Sequence, residues 1–209
     1  RARGLDSNGV YGAWESGHVV LPDLDVTVNA DGTSTVDLVD LGLSDAFVED
    51  ATVSEVSKNG AFGTSQTIET TMTSSKETFS HLRMRMEHVG MDATYAITEA
   101  SLDLSVSSVS GTPLVSVHPT DASSWDEDTI TWNRESSSQT WASGGRATAH
   151  AATDAVEMSS TDTSLSLNVT TAVQAHLQAA ADTSATFLLT ARGQNEAYTA
   201  GDAAAFHSS

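Results

Sequence analysis

Cysteine is absent from this chain of 209 residues, so no disulfide can hold it together, and the redox compartment stays open. Lysine is nearly absent as well: Lys58 and Lys76 stand against a net charge of −19. Such a surface repels phosphate backbones and anionic lipid, which argues against nucleic-acid and membrane-surface partners. Many acids with little Lys also suit high salt, where screening removes the self-repulsion. No apolar run approaches the roughly 20 residues that would span a bilayer, so membrane insertion is not expected. No signal peptide opens the chain, and "RARG" reads as the start of a mature or excised fragment.

What the chain does have is Ser and Thr, about a quarter of all residues and well above ordinary usage. Apolar residues alternate between them, the pattern of many short, half-exposed strands. Residues 1–17 are Gly-rich and polar, anchored only by Tyr11 and Trp14, and read as a flexible arm. "DVTVNADGTSTVDLV" (25–39) predicts a hairpin, with Asp31-Gly32 supplying the turn where positive φ is needed. Further strands are expected in "DAFVED" (45–50), 66–73, "SHLRMRMEHV" (80–89), "ITEASLDLSVSSV" (97–109), "PLVSVHP" (113–119), "SLSLNV" (164–169) and "ATFLLTAR" (185–192). In the 80–89 strand Leu82, Met84 and Met86 face one way, and Arg83, Arg85 and Glu87 the other. Residues 134–162 read as loops with a weak strand near 147–152, and residues after 192 drift without pattern. One helix is expected, in "TTAVQAHLQAAAD" (170–182), with an apolar stripe of Ala172, Val173, His176, Leu177 and Ala180, and Thr170 or Thr171 capping its start. Many strands with one short helix predict an all-β fold, an antiparallel β-sandwich or jelly roll. Val48, Leu82, Met84, Leu102, Leu104, Trp132, Val173, Leu177, Phe187 and Leu189 are its expected buried residues.

The order of segments resembles the DNRLRE domain, also called carbohydrate-binding module family 96. The matching stretches are "DAFV" (45–48), "NGAFGTS" (59–65), "HLRMRM" (81–86), "ASLDL" (100–104), "WDEDTITWN" (125–133), "NVTTAVQAHL" (168–177), "ATFLLTA" (185–191) and "AFHSS" (205–209). The chain departs from the pattern at Asn168, where the family has Asp, and at His176, where it has Trp. The family also continues past this point into one more strand. The resemblance covers roughly residues 43–209, and leaves residues 1–42 as an N-terminal arm and hairpin. It implies a β jelly roll, an extracellular or cell-surface place, and a binding or structural role beside other domains.

Several residues are candidates for a site. Trp125 and Trp132 offer aromatic faces suited to sugar rings, but their Val-, Ile- and Thr-rich neighbours and the family pattern favour a buried pair. Trp14 and Trp141 lie in poorly patterned stretches and are the better candidates for an exposed ligand platform. Asp45, Glu49, Asp50, Asp126 and Asp128 are the candidate oxygens for a structural calcium that would tie loops together. Asp126 has a blander role open to it, capping a turn. "TVNADGTSTVDL" (27–38) fails as a calcium loop, because Thr27 and Leu38 stand where acids are required. The seven His show no metal spacing, and no nucleophile elbow, phosphate loop or dinucleotide fingerprint is present. No catalytic residue is therefore nominated.

These observations favour a non-enzymatic extracellular subunit of a filament, matrix or surface assembly, built by strand exchange. Residues 18–39 are expected to form strands, and part of residues 1–40 would pair with a neighbouring copy of the chain, in the groove left by the absent last strand. The alternative is a carbohydrate-binding module excised from a larger protein, with a polysaccharide as partner.

Overall fold

The computed structural model of the protein describes residues 25–28, 30, 33–37, 48–72, 76–85, 96–121, 124–141, 149–179, 184–191 and 201–208. The chain divides into two compact units, residues 1–43 and 44–209. In the first, β1 (Asp25–Val28) pairs antiparallel with β2 (Ser34–Asp37), with Val26 opposite Val36. That is the expected hairpin. Its Asp31-Gly32 turn, the 18–24 part of the arm and Trp14 lie outside the described residues.

The second unit holds β3 (Val48–Ser54), β4 (Thr67–Met72), β5 (Glu77–Arg85), β6 (Ser101–Ser110), β7 (Leu114–Pro119), β8 (Asp154–Glu157), β9 (Ser164–Asn168), α1 (Thr170–Gln178), β10 (Ser184–Ala191) and β11 (Asp202–His207). These strands form a nine-stranded antiparallel sheet in the order β8-β7-β10-β5-β4-β11-β6-β9, with β3 pairing β5. The sheet folds over at the β4–β5 hairpin, where only Thr71–Thr78 and Met72–Glu77 are paired. One layer is β3-β5-β10-β7-β8 and the other is β4-β11-β6-β9. At the far side Asp154 on β8 accepts the Asn168 backbone N–H of β9 at 2.8 Å, so the sandwich is nearly closed.

Among the described strands, the fold at β4–β5 leaves one edge of β4 without a neighbour, and buried backbone groups need partners. Side chains supply them. The Glu69 N–H donates to Thr52 Oγ1 at 2.9 Å, and Ser80 Oγ donates to the Glu69 carbonyl at 2.9 Å. Thr52 and Ser80 are cross-strand partners, which explains a polar pair on a buried face.

Register and alternation divide β3, β5 and β10 into two faces. The inner face carries Asp50, Leu82 and Phe187 in one row and Thr52, Ser80 and Leu189 in the next. Ile68, Leu102 and Phe206 of the other layer and Val173 and Leu177 of α1 are buried as well. The outer face carries Glu49, Arg83 and Thr186, then Ala51, His81 and Leu188, then Val53 and Phe79. This face is not solvated. A long loop, residues 124–141, lies over it, and so β3 and β10 read as near-continuous buried runs rather than alternating ones.

Of the residues expected in the core, Leu82, Leu102, Trp132, Val173, Leu177, Phe187 and Leu189 are buried, whereas Val48, Met84 and Leu104 are half-buried. The helix starts as expected, but its entry differs. The Thr170 hydroxyl bonds Ala100 rather than capping, and Asn168 Oδ1 accepts the Thr170 N–H at 3.0 Å. Two strands depart from the sequence reading. The weak strand near 147–152 is instead β8, with only a bridge from Thr120 to Ala149 ahead of it. The apparently patternless tail contains β11, inserted between β4 and β6. Its inward positions are Ala204 and Phe206, and Ala on both faces erases the hydrophobic contrast that alternation needs.

Candidate functional site

The outer face of β5 is where the site begins. Glu49 on β3 stands directly across from Arg83, and its carboxylate Oε2 takes both Nε and Nη2 of the guanidinium. Both residues are buried, at 8% and 7% exposure. Charges this far from water persist only when paired and hydrogen-bonded. Arg83 also reaches the loop: Nη1 donates to the Trp125 carbonyl at 2.8 Å, and the guanidinium carbon lies 4.7 Å from the centre of the Trp125 ring. Arg83 therefore joins the sheet to residues 124–141 by charge, hydrogen bond and stacking. Alternation had placed it opposite Leu82 and Met84, which is correct. The face that carries it is buried, because the loop covers it.

The loop is anchored by its aromatic residues. Trp125, Ile130, Trp132 and Trp141 form one cluster with Ala51, Val53, Phe79 and Leu188. Trp132 stacks on Phe79 with centroids 5.6 Å apart, and Trp141 stacks on His81 at 4.9 Å. The Trp141 indole N–H donates to the Thr131 carbonyl at 2.8 Å. The expectation that Trp141 stands exposed is thus corrected: it is 8% exposed, because it closes the loop's far end over His81. Trp125 and Trp132 are core, as their neighbours suggested.

Beside Trp125 the chain turns sharply. Asp126 Oδ1 accepts the N–H groups of Asp128 and Thr129 at 3.1 and 3.2 Å, the turn-capping role read from the sequence. Against this turn packs the loop of residues 60–66. Gly63 touches it so closely that a Cβ there would lie 1.9 Å from the Glu127 carbonyl oxygen. A further stitch joins the loops, since the Asn133 N–H donates to the Lys58 carbonyl at 3.2 Å.

Together these parts bound a cleft of about 910 Å³. Its floor is the Glu49–Arg83 pair with Trp125. One wall is Ser124 and Asp126–Asp128, and the other is Gly63–Gln66, with Ser184 and Ser208 at the rim. Hydroxyls, an amide, carboxylates and a guanidinium give the cleft a dense mixture of donors and acceptors. Gly63 determines its shape. Gly63→Ala is expected to force the two walls apart and destabilise the fold by about 1–3 kcal/mol, the usual range for overpacking. Chemical denaturation checks this, and an unchanged unfolding midpoint would show that the loops yield freely.

Of the candidate calcium oxygens, Glu49, Asp126 and Asp128 line the cleft, and Asp50 does not. Glu49 and Asp50 are consecutive on β3 and point to opposite faces: Glu49 pairs with Arg83, while Asp50 accepts from Ser208 Oγ at 2.9 Å. Asp126 and Asp128 share the cleft wall, and Asp45 lies outside the described residues. Among the described residues no group of three or more His, Asp or Glu is arranged to hold a metal ion. The sequence reading missed Arg83 and Gly63 as determinants of the site. The available signal for Arg83 was an Arg between Leu82 and Met84 within a strand, in a chain with a Trp-rich loop further along.

Residues 45–208, well over half of the chain, match the family model described as carbohydrate-binding module family 96. No curated protein matches the chain.

Proposed function

The chain belongs to carbohydrate-binding module family 96, and from that premise we propose that it binds a polysaccharide in the cleft above the Glu49–Arg83 pair without cleaving it. The observation that carries this reading is the lining of the cleft. Sugar hydroxyls are both donors and acceptors, and the cleft meets them with carboxylates at Asp126 and Asp128, hydroxyls at Thr64 and Ser65, and the Gln66 amide. Every Trp among the described residues belongs to the core, so recognition here is by hydrogen bonds rather than by ring stacking. Rigid walls favour this, because a preformed cleft loses little conformational freedom on binding.

The reading places the protein outside the cell, where polysaccharide is met. No helix among the described residues is long and apolar enough to cross a membrane. It also takes precedence over the strand-exchange filament. The family match is to a carbohydrate-binding module, and β1 and β2 pair with each other within the chain.

Calorimetric titration with a panel of soluble polysaccharides tests the reading. Asp128→Ala and Gln66→Ala, both at exposed positions, should each weaken binding about tenfold, as expected for a lost hydrogen bond to a charged or amide group. The melting temperature should not move. Undiminished binding by the double variant would remove the cleft from consideration, and steady release of reducing ends would show an enzyme instead.

A further inference from the structure

The loops that wall the cleft also border a second, open recess, of about 510 Å³, lined by Asn59, Thr129, Thr131, Arg134 and Ser137. Its chemistry is the reverse of the cleft's. Among the described residues no carboxylate lines it, although the chain has 28 acidic and 9 basic residues. Its hydrogen bonds leave it rich in donors. Asn133 Nδ2 donates to Asn59 Oδ1 at 2.9 Å, so the Asn59 side chain has its N–H groups left to offer. Thr131 Oγ1 accepts the Arg134 backbone N–H at 3.1 Å and retains its own O–H to donate. Arg134 Nη1 donates to the Ser137 carbonyl at 3.2 Å, which holds the side chain across the loop, and a guanidinium carries five N–H donors in all.

We propose that this recess is a second binding site, taking a sulfate ester carried by a polysaccharide. The inference rests on the reading of the chain as a glycan binder. A positive recess whose side chains donate from separate residues fits an anion with oxygens pointing in several directions. A carboxylate instead favours the parallel fork of one guanidinium, and here that fork is partly committed to Ser137. The recess and the cleft flank the same pair of loops, so one polymer has reason to meet both.

The test is calorimetric titration of the full chain with a sulfated galactan oligosaccharide, its desulfated form, an oligogalacturonate and inorganic sulfate. The wild type should bind the sulfated form about tenfold more tightly than the desulfated one, the usual gain from a charge-assisted hydrogen bond. High salt should diminish that preference. Arg134→Gln, at an exposed position, should bring the sulfated form down to the affinity of the desulfated form and leave the latter unchanged. An unaltered preference in Arg134→Gln overturns the proposal. So does equal, Arg134-dependent binding of the galacturonate, which would make the site one for carboxylates. Inorganic sulfate binding as tightly as the sulfated oligosaccharide would leave a simple ion site and overturn it too. In each of these cases binding of the desulfated form leaves the cleft reading standing. Binding of no oligosaccharide at all would reject both.

Discussion

Replacing Arg83 with Met should lower the free energy of unfolding by about 3–5 kcal/mol, the range for removing one partner of a buried pair. The expected loss comes from what is left behind rather than from the contact itself. Glu49 is 8% exposed, and without Arg83 its carboxylate would lose the cation that offsets its removal from water. The Trp125 carbonyl also loses its donor, and the Trp125 ring loses the cation above it. Glu49→Leu alone should be damaging for the complementary reason, because it removes the carboxylate that Arg83 faces across the strands. The double variant Glu49→Leu/Arg83→Met should recover much of the loss, because an apolar pair of similar volume avoids the desolvation penalty. Urea denaturation of the four proteins measures this. A double variant as unstable as the sum of the singles would show that the pair acts mainly by holding the 124–141 loop, and not by mutual neutralisation.

Trp132→Ala should be comparably severe, at about 3–5 kcal/mol, the range for truncating a large buried aromatic. Trp132 stacks on Phe79 and belongs to the cluster that fastens the loop to the sheet. Its removal opens a cavity beneath a segment that has few backbone ladders of its own. The cleft wall at Asp126–Asp128 belongs to that same loop, so glycan binding should weaken along with stability. This coupling separates architecture from direct recognition. Near-wild-type stability with abolished glycan binding would instead make Trp132 a ligand platform, contrary to its burial at 8% exposure.

The sequence by itself determined the class of fold, the family resemblance and most of the strands. Alternation at Leu82 and Met84 and at Leu102 and Leu104 is a local property, written within a few residues of chain. The Asp126 turn was legible for the same reason, since an Asp binds backbone N–H groups two and three residues ahead of it. The helix from Thr170 to Gln178 was likewise legible, from a stripe at helical spacing. The tertiary structure alone decided which face of β5 is covered and by what. Alternation assigns Phe79, His81 and Arg83 to one side, but burial of that side depends on a loop more than 40 residues further along the chain. Trp141 could not be placed from its polar neighbours, because its partner His81 is a contact across sequence rather than along it. The same holds for Gly63, whose necessity arises only when the Glu127 carbonyl arrives beside it. Periodicity records how a segment divides its two faces. It carries no information about which distant segment comes to rest on either face, and the cleft is made from such meetings.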